Sequence, residues 1–375
     1  MVLLLRDAGY AVTVISAMPN YPTGRVFPGY RGKLRHQEMM DGIRVIRLGL
    51  IPSNSGNLLV RGLSLITFLM SVLFGAGPRL LFSKTDLVIV SSPPLLTAWV
   101  YAFLARCGGK KVLVNISDVW PLTALEMGAL RQGFIYRMLQ KMEHSLYRKA
   151  HAFTGQSQEI LDHLKASCRK EKNAFLYRNL QPRKERNAAV SSLPAAPFKV
   201  IYAGNLGHAQ GILELCEAVD FKACNTELHI YGDGADREQL TTFLSQHPEK
   251  DIYLHPTIPQ KELDEQLANF HAVLVPLKKP IYGAVPSKLF MAVAAGLPVL
   301  YSAGGEGENL VAQHRLGWIA APGDYPALSA MICRAAATSD TERQQFHAAI
   351  QHMQETVCSK EVQDKAFSGF VAGLM

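Results

Sequence analysis

Apolar residues in this chain come in short runs, separated by longer stretches of helical period. In the first half AVTVIS (11–16), IRVIRL (43–48), DLVIVSS (86–92), KVLVNIS (111–117) and AHAFTG (150–155) read as strands. In the second half FKVIYAG (198–204), TELHIYG (226–232), AVLVPL (272–277) and LPVLYS (297–302) do the same. The runs are β-branched and apolar at successive positions, as strands covered on both faces must be. Helical stretches lie between them, among them 131–149, where Tyr136, Leu139, Met142 and Leu146 share a face, and 234–246. Alternating β and α units predict an α/β fold with doubly wound parallel sheets and right-handed crossovers.

Residues 181–197, QPRKERNAAVSSLPAAP, carry no apolar period and are rich in Pro, Ser and Ala, which marks a linker. The expected organisation is a first Rossmann-like domain over 1–180, this linker, and a second such domain over 198–358. The opening MVLLLRDAGYAVTVIS reads as a helix end, a cap at Gly9 and then a strand. Such a domain normally opens with a strand and a glycine-rich turn ahead of that helix. The first strand of the N-terminal domain is therefore expected to be missing, or to lie upstream.

Composition narrows the class. With 375 residues, 48% hydrophobic and 19% charged, the chain affords large cores and is not disordered. A formal charge of +8 favours acidic partners, which nucleic acid, anionic lipid and phosphorylated substrates all are. Cys107, Cys168, Cys216, Cys224, Cys333 and Cys358 form no CxxC pair, so free thiols in a reducing compartment are expected rather than a zinc knuckle or disulfide framework. No basic, apolar and small-residue leader pattern opens the chain, so no signal peptide is expected. Residues 62–78 carry no charge and lie between Arg61 and Arg79. A spanning helix needs about 20 apolar residues, so this stretch is expected to be buried or to seek a membrane interface.

Candidate chemistry sits after the strands, because ligands of open α/β sheets bind beyond the carboxyl ends. Gly204, Asn205, Leu206 and Gly207 leave one strand and lead to a helix whose free N–H groups suit a phosphate. YGDGAD (231–236) is a second such turn, where Asp233 would cap the next helix or meet a sugar hydroxyl. Pro286 and Ser287 open a further helix with Lys288 in its first turn. A cation there opposes the helix dipole, which makes sense beside a bound anion such as a diphosphate. SAGGEGENL (302–310) forms another glycine turn, with Glu306 and Glu308 on the ligand side. In the first half VNISDVWP (114–121) sets Asp118 and Trp120 beyond a strand: a carboxylate for a sugar or base role, and an indole face for a sugar or for the core. The loop PNYPTGRVFPGYRGK (19–33) interleaves Tyr21 and Tyr30 with Arg25, Arg31 and Lys33, fitting an acceptor or lipid headgroup loop as well as a solvated one. SSPPLL (91–96) turns at the same rim.

In this order PNYPTGRVFPGYRGK, DGIRVIRL, SSPPLL, SDVWP, KMEHSLYRKA, YAGNLGHAQG, YGDG, VPLK, VPSKLF, AAGLPV and GGEG resemble the family-four glycosyltransferases. The likeness runs from about residue 9 to 335 and is nearest to bacterial polysaccharide enzymes similar to the L-fucosamine (FucNAc) transferase of O-antigen assembly. The resemblance implies a GT-B fold, a retaining reaction without a metal, and no cofactor beyond the nucleotide-sugar donor. It sets Gly204, Asn205 and Gly207 near the diphosphate, Lys288 with Ser287 on the leaving group, Gly304, Gly305 and Glu306 near the donor sugar, and Asp118 facing the reaction centre. It implies a last helix, 359–375, packed back on the first domain. Two positions depart from the family: Met291 stands where a glutamate usually holds the ribose, and Asn205 and Gln210 stand where many members carry Arg and Lys.

The expected function is transfer of a sugar from a nucleoside-diphosphate donor, UDP-linked, to a polyprenyl-diphosphate-linked acceptor in O-antigen or capsule synthesis. The enzyme would work in the cytoplasm at the inner-membrane surface, with no nucleic acid partner. A degenerate GT-B partner subunit and a nucleotide-sugar epimerase are the alternatives. A Rossmann oxidoreductase is disfavoured, because no GxGxxG with a downstream acid follows a strand.

Overall fold

The computed structural model describes residues 1–20, 24–52, 58–168, 170–184 and 197–375. Tyr21 of the 19–33 loop and residues 185–196 of the linker lie outside these. The first domain runs α1 (Val2–Asp7), β1 (Thr13–Ala17), β2 (Arg35–Met40), β3 (Ile43–Leu48), α2 (Leu58–Gly75), α3 (Gly77–Phe82), β4 (Leu87–Ser92) and α4 (Leu95–Cys107). It continues through β5 (Lys111–Ile116), α5 (Leu122–Glu126), α6 (Phe134–Lys149), β6 (Ala152–Gly155), α7 (Gln158–Ser167) and β7 (Asn173–Leu176). Its strands form two sheets, ordered β1-β3-β2 and β4-β5-β6-β7. All pairs are parallel except β2 with β3. The strands β1 and β4 are each an edge, and among the described residues no strand joins them. Side chains bridge the halves instead: Ile15 of β1 and Val88 of β4 pack on one cluster with Leu48, Val72 and Leu80.

The second domain has one continuous sheet, ordered β10-β9-β8-β11-β12-β13 and wholly parallel. Its elements are β8 (Phe198–Ala203), α8 (Ile212–Ala218), β9 (Thr226–Tyr231), α9 (Arg237–Gln246), β10 (Ile252–His255), α10 (Gln260–Gln266) and β11 (Ala272–Pro276). There follow α11 (Ser287–Ala295), β12 (Val299–Ser302), α12 (Gly305–His314), β13 (Gly317–Ile319), α13 (Tyr325–Ala336) and α14 (Asp340–Glu355). Val273 and Val275 feed the core beneath α11, while Ala272 and Leu274 feed the core on the opposite face. That alternation is why β11 is apolar at every position.

The chain crosses to the second domain at Leu180, which is buried in its core, and Lys184 pairs there with Asp264. It returns through α15 (Lys360–Ala372), whose Phe367 is fully buried against Tyr177 at a centroid distance of 4.7 Å. Gln363 on α15 fixes the backbone of Arg178, accepting its N–H at 2.9 Å and donating to its C=O at 3.0 Å. The thiol expectation is corrected at one pair. Cys224 and Cys333 are disulfide-bonded with Cα atoms 4.6 Å apart, while Cys107, Cys168, Cys216 and Cys358 are free. The partners are 109 residues apart and meet through folding, which local cysteine spacing does not reveal. The apolar 62–78 stretch divides into α2 and α3, and among the described residues no helix is long and apolar enough to cross a membrane.

Candidate active site

Four turns meet at the carboxyl edge of the second sheet. The first leaves β8 at Gly204, whose φ of +149° suits glycine and where an added Cβ would lie 2.6 Å from Lys288 Nζ. Leu206 N–H then donates to the Asp233 carbonyl at 2.9 Å, which locks this turn to the one after β9. The expected cap is corrected here: α9 begins at Arg237 behind Asp236, and the Asp233 carboxylate instead accepts its neighbour's Gly234 N–H at 2.8 Å. Exposed on this turn, Asp233 keeps an oxygen towards solvent. Asn205 donates across its loop to Gln210 at 3.4 Å, and Gly207 lies beneath that contact.

The third turn opens α11 behind Pro286, with Ser287 exposed and Lys288 partly buried. Lys288 Nζ sits 4.8 Å from the centre of the Tyr202 ring, and no carboxylate among the described residues pairs with it. Burial lowers its pKa from 10.5 to about 8. A desolvated ammonium over a π face, beside a glycine backbone and a helix N-terminus, is a receptive site for an anion. Tyr202 in turn donates to the Asn205 carbonyl at 2.5 Å, so the ring that carries the ammonium also shapes the first turn. Lys278, at the end of β11, has a different situation: it pairs with Glu214 and bonds His208 at 3.1 Å, bracing the 204–211 loop.

The fourth turn brings the domains together. Gly304, with φ +65°, stands before α12, and Gly305, with φ +63°, starts it. Glu306, expected to approach the donor sugar, is only 8% exposed and turns to the first domain. One of its carboxylate oxygens lies 2.6 Å from the Arg178 guanidinium, and the other accepts Glu159 N–H at 3.0 Å. Both oxygens thus face protein groups, and the expectation of a carboxylate directed at the donor sugar is corrected. The reason is tertiary: Arg178 approaches from the strand-to-linker crossing, 128 residues away in sequence.

The N-terminus of α7, which supplies the Glu159 N–H, also grips the loop ahead of Lys288. Ser157 Oγ donates to the Gly283 carbonyl at 2.7 Å, and the Glu159 carboxylate accepts Gly283 N–H at 2.7 Å. Tyr282 N–H donates to Glu126 at 2.9 Å, and its hydroxyl donates to the Glu159 carbonyl at 3.1 Å. Both backbone groups of Gly283 in the second domain are therefore held by the N-terminus of α7 of the first.

Asp118 follows β5 on the first domain. Its carboxyl is partly buried with no hydrogen-bond partner among the described residues, and desolvation raises its pKa. Trp120 is partly buried and packs on the first-domain core. Met291 is 5% exposed within the core under α11, where its thioether packs against apolar neighbours. The lysine turn and the two glycine turns were open to sequence reading. Tyr202, Ser157, Glu159 and Arg178 were missed, and only Lys278, directly after an apolar run, carried a local signal. Among the described residues no group of three or more His, Cys, Asp or Glu is placed to hold a metal ion.

This architecture recurs among known proteins. Sucrose-phosphate synthase from Thermosynechococcus elongatus is 19% identical with a TM-score of 0.73, over 99% of this chain and 90% of that one. HepE of Anabaena, solved with UDP-glucose, is 15% identical with a TM-score of 0.66, over 88% of this chain and 86% of its own. The lipopolysaccharide outer core galactosyltransferase WaaB is 15% identical with a TM-score of 0.60, over 97% and 99%. These likenesses show the two-domain GT-B fold. Among curated proteins none matches the chain in sequence. The model of the glycosyl transferase 4-like domain matches residues 1–176, and that of the glycosyl transferases group 1 matches residues 197–338. With both domains so matched, the chain is a glycosyltransferase of the GT-B fold and group 1, family-four type.

Proposed function

We propose that the enzyme transfers a sugar from a nucleoside-diphosphate donor, UDP-linked, to a lipid-linked glycan acceptor, with retention at the sugar carbon. The observation that carries this reading is Lys288, an unpaired and desolvated ammonium over the Tyr202 ring, with the Gly204 backbone beside it. In that place the leaving diphosphate gains an electrostatic partner whose charge is not already neutralised. Gly204, Asn205, Gly207 and Ser287 line the diphosphate side; Asp233, Gly304 and Gly305 lie towards the donor sugar. Asp118 faces them from the first domain, and Glu306 acts by holding the domains rather than by touching the sugar. The UDP and UDP-glucose complexes of HepE, on the same fold, support a UDP-linked donor. WaaB, a lipopolysaccharide outer core galactosyltransferase, supports a cell-surface glycan as the product, and a lipid-linked acceptor would put the enzyme at the cytoplasmic side of the inner membrane.

Calorimetric titration of the full chain with UDP, with GDP as the control, tests the donor side. Micromolar UDP binding that GDP does not match agrees with the proposal. A folded chain that binds neither nucleotide refutes it and favours the degenerate-partner reading, for which the buried, apolar Met291 is the specific observation.

A further inference from the structure

The helices α2, α3, α4 and α6 pack side by side on one face of the first domain. Alternation along β5 separates that face from the other: Val112, Val114 and Ile116 serve the core under α4 and α6, while Leu113 serves the core under α1 and α15. These four helices contain a single acidic residue, Glu143. It is only 3% exposed and is used internally, accepting from Tyr147 at 2.8 Å and contacting His163 at 2.9 Å. The outer surface of the layer is therefore free of its own negative charge.

That surface carries two other kinds of side chain. Arg106, Arg137, Lys141 and Arg148 are exposed. Among them stand large apolar residues that no element among the described residues covers: Ile66, Met70 and Phe74 on α2, Phe103 on α4, and Phe134 and Met138 on α6. Phe74 is 76% exposed and Phe134 is 82% exposed, more than a soluble face needs. On α6 Phe134, Met138 and Lys141 follow one another at helical spacing with Arg137 beside them, opposite buried Leu146 and Tyr147. An apolar ridge with a basic flank is the pattern of a helix lying in a lipid interface. Opposite it, α1 and α15 expose, of their large apolar residues, only the aliphatic Val2, Leu3 and Val362 and intersperse the acids Asp7, Glu361 and Asp364 with their basic residues. The layer also reaches the active site: α5, just ahead of α6, ends at Glu126, which holds the Tyr282 N–H beside the Lys288 turn.

We propose that the α2–α3–α4–α6 face docks on an anionic phospholipid bilayer, with Phe134 and Met138 in the interface and Arg137 and Lys141 on the headgroups. The inference rests on the reading of a lipid-linked acceptor, whose reacting sugar this orientation would deliver to the cleft mouth. Co-flotation of the full chain with phosphatidylcholine vesicles, with and without phosphatidylglycerol, tests it without donor or acceptor. Binding is expected only with phosphatidylglycerol, and Arg137→Glu with Lys141→Glu lowers it roughly thirtyfold. Phe134→Ser with Met138→Ser lowers it roughly tenfold, and Lys365→Glu on α15 leaves it unchanged. Every variant should bind UDP as the parent does, which shows that the fold persists. Binding indifferent to phosphatidylglycerol and to the charge reversal overturns the proposal. So does a dimer, seen by light scattering, that Phe134→Ser disperses, because the face would then belong to a second copy. A chain that floats with anionic vesicles but binds no UDP refutes the donor reading alone.

Discussion

The two domains share one plan and differ in what closes it. In the second, six parallel strands run unbroken and their carboxyl ends form a single edge, so turns far apart in sequence share contacts. In the first, the strands divide into two sheets between β1 and β4, and the helical layer beside them leaves large apolar side chains uncovered. The second domain is thus self-sufficient as a binding platform. The first contributes by gripping it, through α7 and Arg178, and by the surface it turns outward. Binding chemistry and assembly are divided between the domains, and substitutions can separate them.

The largest effect belongs to Lys288. Lys288→Ala removes a cation of the site that no carboxylate among the described residues offsets, and turnover should fall by about 10² to 10³. Binding of the nucleoside diphosphate should weaken with it while the thermal transition stays in place. The pH dependence gives a second test. With its pKa lowered to about 8, Lys288 is charged below that value and loses the proton above it. A bound diphosphate pulls the pKa back up, so nucleotide affinity should decline as pH rises beyond about 8. The decline should vanish in Lys288→Ala, as measured by titration across pH. A turnover unchanged by the substitution refutes the assigned role.

Next is the buried pair between domains. Arg178→Met leaves Glu306 charged and enclosed, an arrangement that costs about 3 kcal/mol or more. Urea unfolding should show that loss, and the single transition should divide as the domains come apart. Arg178→Met with Glu306→Leu should recover part of it, because apolar replacement of both partners removes the orphaned charge. Full additivity of the two substitutions would deny their contact.

The division between the domains also explains what the sequence could reveal. Strands with both faces covered, such as AVLVP in β11, announce themselves by unbroken apolar runs. The strands that escaped, β2, β7, β10 and β13, are all at sheet edges. There a strand is half exposed, and RHQEMM in β2 lacks the required pattern. Glycine turns and Lys288 were legible because each belongs to a strand-turn-helix unit a few residues long. Glu306 was legible as a residue and misread in its use, since Arg178 and Glu159 reach it only through the packing of one domain on the other. The Cys224–Cys333 bond was hidden for the same reason.

Asp118 tests whether the first domain adds chemistry as well as grip. Asp118→Asn keeps the shape of the side chain and removes its charge. If the carboxylate faces the reacting sugar, turnover should fall about 10²-fold with little change in UDP affinity. Desolvation raises the pKa of Asp118, so the acid limb of the rate profile should lie above the ordinary carboxylate range. The limb should be absent in Asp118→Asn. An unaltered rate confines the chemistry to the second domain.

The smallest effect, and the sharpest test of the division, is at Glu159. Its carboxylate holds Gly283 N–H at 2.7 Å while its own N–H holds Glu306, so one residue joins the lysine loop to the interdomain pair. Glu159→Ala removes the first contact and keeps the second, because the backbone N–H remains. The loss is about 1.5 kcal/mol, the low end for a hydrogen bond to a charged group. If that bond positions the loop for catalysis, the loss should appear as a roughly tenfold fall in kcat. The UDP dissociation constant should hardly move, since Lys288, Tyr202 and Gly204 stay together within the second domain. Glu159→Gln, whose amide oxygen still accepts from Gly283, should restore most of the rate. A rate lost equally in both variants assigns the effect to charge at the helix N-terminus rather than to the grip. Should UDP affinity fall instead of kcat, the second domain is not self-sufficient and its binding edge depends on being held by the first.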